Sequence, residues 1–73
     1  MPFLPDDFDE MFTYHPVEEG QVAHYEAIRA AAKQFAATIR TNTPRSPDQS
    51  AAIRKVREAM MTANASIALK GKF

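Results

Sequence analysis

The chain has 73 residues, nine basic and nine acidic side chains, two histidines and no cysteine. That length makes one small domain, the absence of cysteine excludes a disulfide framework and thiolate chemistry, and His15 and His24 alone do not build a metal cluster. No apolar run reaches membrane-spanning length and the first residues lack a basic-then-apolar signal pattern, so the expectation is a soluble, cytosolic protein.

The charges are segregated along the chain. Residues 1–19 hold six acids and no Lys or Arg, whereas residues 20–73 hold all nine bases and only Glu26, Asp48 and Glu58 as acids. A body of net positive charge attracts anions, and an acidic leader screens it.

Residues 1–16 read as a leader, with prolines at positions 2, 5 and 16. Phe3, Leu4, Phe8, Met11 and Phe12 make it too apolar for a free tail, so it is expected to pack over a helix or a neighbouring copy. Pro5-Asp6-Asp7 suits the first turn of a short helix.

Residues 17–73 read as a helical hairpin domain. Its first long helix is predicted from near Val17 to Arg40 or Thr41, with Glu18 and Glu19 in the first turn, where the helix dipole favours acids. Gly20 weakens that turn and lets the start slip to Gln21. Tyr25, Ile28, Ala32, Phe35 and Ile39 step by three and four, the spacing of a helix–helix seam. Thr41 to Pro47 should break the helix. A second long helix then starts with Ser46 as cap, Pro47 in the first turn, Asp48 against the dipole and Gln49 completing a capping box. It is predicted to run to about Leu69 and stop at Gly71. Ile53, Val56, Met60, Ala63 and Ile67 repeat the seam spacing. One helix pair of this size has too small a core to stand alone, so the chain is expected to self-associate.

Enzyme signatures are missing. Two glycines cannot build a phosphate loop, Ser46 is explained as a cap, and Asp6 and Asp7 have no partner that would split their pKa values. The reading is therefore of a non-enzymatic protein with no cofactor and no metal. Tyr14 and Arg29 instead form a minimal nucleotide kit, a ring to stack on a base and a guanidinium to grip a phosphate. Tyr14 of one chain reaches Arg29 more easily in a second, antiparallel copy than in its own. A two-fold interface would then bring two of each to one pocket. Blander roles stand beside these. Tyr14 can staple the helix start, and Arg29 can pair with Glu26. Arg54, Lys55 and Arg57 can form a solvated face, with Glu58 pairing Arg54, and Lys70 and Lys72 can simply solubilise the C-terminus.

Several motifs then resemble a known family. They are Phe12-x-Tyr14-His15-Pro16, Tyr25-Glu26-x-Ile28-Arg29-x-x-Ala32, Pro44-x-Ser46-Pro47-Asp48-x-x-x-Ala52-Ile53 and Arg57-x-Ala59-Met60-x-x-Ala63-Asn64-Ala65. Over about residues 12–69 the chain resembles the helical-hairpin family of phage anti-CBASS cyclic-nucleotide sponges, to which phage anti-Thoeris sponges are related. The resemblance implies an all-α homohexamer that sequesters cyclic oligonucleotide messengers in the host bacterial cytoplasm without cleaving them. It implies cyclic-dinucleotide pockets between subunits, for ligands such as cGAMP, and separate cyclic-trinucleotide pockets on three-fold axes in some members. It makes Tyr14 the base-stacking ring and Arg29 the phosphate holder where relatives can carry lysine. Lys70 is the candidate for the second pocket, and His15 and Lys33 join the site by proximity. No membrane and no long nucleic acid are expected as partners. Two other readings remain open from the residues themselves: a helical oligomer that binds a protein through its apolar leader, and a nucleic-acid accessory protein using Arg54 and Lys55.

Overall fold

In the computed structural model, which describes residues 3–73 except for the Pro5 side chain, three helices follow in chain order: α1 (Pro5–Phe12), α2 (Val22–Asn42) and α3 (Pro47–Ala68). Among the described residues there is no strand. Pro2, counted in the leader, lies outside the described residues. The leader does hold a short helix, and Asp7 Oδ2 accepts from the Leu4 backbone N–H at 2.7 Å to satisfy one of its free donors.

The first long helix begins at Val22, five residues after the predicted start. Gly20 adopts φ 89°, a left-handed conformation that cannot continue a helix. Glu18 and Glu19 therefore sit in a turn ahead of α2, not in its first turn. That turn is closed by Gln21, whose Oε1 accepts from Glu18 N at 2.9 Å while its own N–H donates to Glu18 O at 3.1 Å.

The far end of α2 is finished by side chains. Thr43 Oγ1 donates to Ile39 O at 2.7 Å, and Asn42 Nδ2 donates to Thr38 O at 2.8 Å. Ser46 caps α3 as predicted, its Oγ accepting from Gln49 N at 3.1 Å. The reciprocal half of the capping box does not form. Gln49 Nε2 turns instead to Arg40 O at 3.3 Å and to Thr43 O and Oγ1, each at 3.1 Å. Those carbonyls close the last turn of α2, so one amide ties both helices to the loop. At its C-terminus α3 stops one residue before the expected Leu69. Gly71, at φ 75°, donates to Ser66 O at 2.9 Å, and Lys70 itself has φ 55°.

α2 and α3 pack as an antiparallel hairpin, with Gln21 Nε2 reaching Ile67 O at 3.2 Å across its open end. Nine of the ten seam residues are half-buried against the partner helix. The exception is Phe35, which is 59% exposed and lines a groove beside the seam residues Ile39 and Met60. No described residue is fully buried. The Cα radius of gyration is 15.3 Å, against about 11 Å for a compact chain of this length. The accessible surface is 6141 Å², whereas a compact protein of this mass exposes roughly 4,500 Å². The chain is an open hairpin with uncovered faces. α1 packs along neither long helix. It is fastened to the C-terminal tail, where the Lys72 ammonium straddles both Glu10 carboxylate oxygens at 2.7 Å and the Phe3 ring meets Phe73 edge-on at 6.0 Å.

Candidate functional site

Among the concavities of the described residues, three stand out, and between them they take up the sequence-predicted residues other than Tyr14. The largest, of about 540 Å³, lies on one face between α2 and α3. Phe35, Ile39 and Ala59 are among its lining residues, and Lys55 is its one charged group. Alanines at 31, 52, 59 and 63 keep this face low and almost wholly apolar.

The opposite face carries a smaller groove of about 200 Å³. Ala32, Ala36, Ile53, Val56 and Met60 line it together with the stems of Arg29, Lys33 and Arg57, and its wall is almost wholly apolar. The antiparallel register explains the grouping. Arg29 and Lys33, one turn apart on α2, lie level with Met60 and Val56, and Arg57 faces them from α3. No acid lines this groove. The ion pairs among the described residues are Lys70–Glu18 at 3.2 Å and Lys72–Glu10 at 2.7 Å, and neither involves these three cations. The expected Arg29–Glu26 and Arg54–Glu58 pairs do not form. Arg57 was not singled out from the sequence beyond its place in a basic stripe. The available signal was its position four residues after Ile53 and three before Met60, which puts it at the edge of the seam and not opposite it.

The third concavity, of about 260 Å³, sits at the open end of the hairpin. Glu10, His15, Gln21, Leu69, Lys70 and Lys72 are among its walls. His15 Nε2 donates to Glu10 O at 2.8 Å, and the Thr13 hydroxyl donates to Asp9 O, so both finish the C-terminal turn of α1. His15 thus acts as a cap here, and Lys70 is paired with Glu18. Glu10 of the leader and Glu18 pair with the cationic tail, and the ion pairs among the described residues include none of the three groove cations.

Tyr14 lines none of these concavities. Its side chain is 83% exposed in the link between α1 and α2. It does not staple the start of α2. Arg29 lies about 10 Å along α2 from Val22 at 1.5 Å per residue. The structure therefore places Arg29 and Lys33 at one groove and His15 and Lys70 at another, and leaves the Tyr14 side chain, next to His15 in the chain, outside both. Asn64, on α3, has an Oδ1 shielded from solvent with no hydrogen-bond partner. Leaving such an acceptor unmet costs about 1–3 kcal/mol.

No described helix is long and apolar enough to cross a membrane. Among the described residues, no three His, Cys, Asp or Glu side chains gather as a metal site. No curated protein and no solved structure matches the chain. A family model, that of the Acb2/Tad1 hairpin domain, matches residues 5–68, which takes in α1 as well as both long helices. Covering most of the chain, that match shows that the protein belongs to the Acb2/Tad1 hairpin-domain family, the anti-CBASS and anti-Thoeris sponges.

Proposed function

We propose that this protein is a phage sponge that binds cyclic dinucleotides such as cGAMP and holds them intact, keeping the free messenger below the level that activates a CBASS effector in the host cytoplasm. The observation that carries this reading is the pairing of family membership with an acid-free apolar groove to which three basic residues contribute. An apolar floor accepts a flat base or a sugar edge, and guanidinium and ammonium groups hold phosphodiester oxygens.

The site is completed by a second copy. A groove of about 200 Å³ falls below the usual range of roughly 300–1,000 Å³ for a small-molecule pocket. Tyr14, the candidate base-stacking ring, stands free of its own chain's groove and is available to another's. The uncovered apolar face with Phe35 supplies the association surface. The accessible surface exceeds that of a compact monomer by roughly 1,600 Å², about twice what one partner contributes to a standard interface. Such a surplus suits more than one interface per chain, as a homohexamer requires. In this reading Tyr14 stacks on a base, Arg29 and Lys33 hold a phosphate, and His15 shapes the link that carries Tyr14. Lys70, at the open end of the hairpin, belongs to a second pocket for cyclic trinucleotides.

Calorimetric titration with 3′,3′-cGAMP, followed by recovery of the ligand after denaturing the protein, tests this function. Binding with quantitative recovery of intact ligand supports a sponge. Absence of binding, or recovery of linear products, refutes it.

A further inference from the structure

We propose that Arg57 is a third phosphate-holding cation of the cyclic-dinucleotide site, gripping from α3 the same ligand that Arg29 and Lys33 grip from α2. This inference rests on the sponge reading and deepens it. The three basic residues contribute their stems to one almost wholly apolar groove whose walls come from two helices. None of them takes part in the ion pairs among the described residues, and no carboxylate lines the groove. With no carboxylate in ion-pair reach, all three are available to an incoming anion. Placement on α3 gives Arg57 a role that Arg29 and Lys33 cannot share. Cations confined to one helix hold a phosphate from one side, whereas a guanidinium on the facing helix closes the other side with its planar fork of donors.

The neighbouring bases on α3 do not share this position. Lys55 lines the opposite, apolar face, and Arg54 lines none of the three concavities. The basic stripe therefore divides by helical geometry into one residue at the ligand, one at the association face and one in solvent.

The test is titration of 3′,3′-cGAMP into wild-type protein and the variants Arg57→Gln, Arg57→Lys and Arg54→Gln, at low and physiological salt, with sedimentation of each. Arg57→Gln should weaken binding about tenfold or more, as loss of a charge-assisted hydrogen bond does. It should also flatten the salt dependence, because one fewer charge is then screened. Arg57→Lys, which keeps the charge but not the fork, should fall between, and Arg54→Gln should bind like wild type. Wild-type binding with Arg57→Gln within about twofold of it, at both salts, overturns the assignment and leaves the sponge reading standing. Wild-type protein that does not bind at all overturns the sponge reading and this inference together. Where Arg57→Gln fails to assemble, Arg57→Lys decides. A several-fold loss at unchanged sedimentation upholds the inference, and unchanged affinity overturns it.

Discussion

Gln21 and Ile67, 46 positions apart in the chain, are joined by a hydrogen bond of 3.2 Å from the Gln21 amide to the Ile67 carbonyl. The same glutamine accepts from Glu18 N, so one side chain both shapes the turn ahead of α2 and latches the open end of the hairpin. Gln49 does the corresponding work at the loop end. A hairpin without a buried core is thus held at both ends by glutamine amides bonded to backbone groups near the helix ends.

Gln21→Ala removes both bonds. Each contributes about 0.5–1.5 kcal/mol net, so a loss of about 1–3 kcal/mol is expected. Thermal unfolding monitored by circular dichroism measures it. A melting temperature equal to that of wild type would show that the latch contributes nothing.

Ser46→Ala and Ser46→Gly separate the cap from the backbone. The alanine variant should lose about 1 kcal/mol and the glycine variant only a few tenths, because glycine leaves the first amides open to water. Chemical denaturation of the two variants side by side checks the order. Equal loss in both would deny the Ser46 Oγ–Gln49 N bond its stabilising role.

Phe35→Asp tests association. Phe35 is the one exposed seam residue in the single chain, so the substitution disturbs intrachain packing less there than at any other seam position. It places a charge on the apolar face and should split the oligomer. Sedimentation velocity is expected to report a smaller species whose helicity falls on dilution. An oligomer that survives Phe35→Asp would move the association surface elsewhere, with the apolar leader residues Phe8 and Phe12 the next to be tested.

Tyr14→Ala and Tyr14→Phe test stacking. Since Tyr14 has little contact with its own chain, neither change should shift unfolding of the free protein by more than about 0.5 kcal/mol. Loss of the ring should weaken cyclic-dinucleotide binding by about 1–3 kcal/mol, the range for base–aromatic stacking. Phenylalanine should retain most of the affinity. Calorimetry of the three proteins decides it, and undiminished binding by Tyr14→Ala would remove the residue from the site.

Much of the fold is legible in local chemistry. Ser46-Pro47-Asp48 marks the start of α3, Gly71 marks its end, and two runs of threes and fours mark the facing stripes of α2 and α3. These signals lie within a few residues of what they control. Gln49 misleads for the same reason. A capping box is its best local option, but the free carbonyls of Arg40 and Thr43 lie closer once the loop has closed. Phe35 fits the seam by spacing, yet its large ring borders an open apolar groove and stays more exposed than Ala32 and Ile39 on either side of it. Arg57 is hidden from a reading along the chain because its neighbours at the groove, Arg29 and Lys33, belong to another helix.

Residue types and their periodicity alone determined that the protein holds a pair of long helices broken within Thr41 to Pro47, with too little apolar surface on the seam to close a core. Only the tertiary structure decided which cations meet. Helix propensities and caps act over one or two turns, whereas the grouping of Arg29, Lys33 and Arg57 depends on the antiparallel register of α2 against α3. That register is set by the seam and by the amides of Gln21 and Gln49 at its two ends.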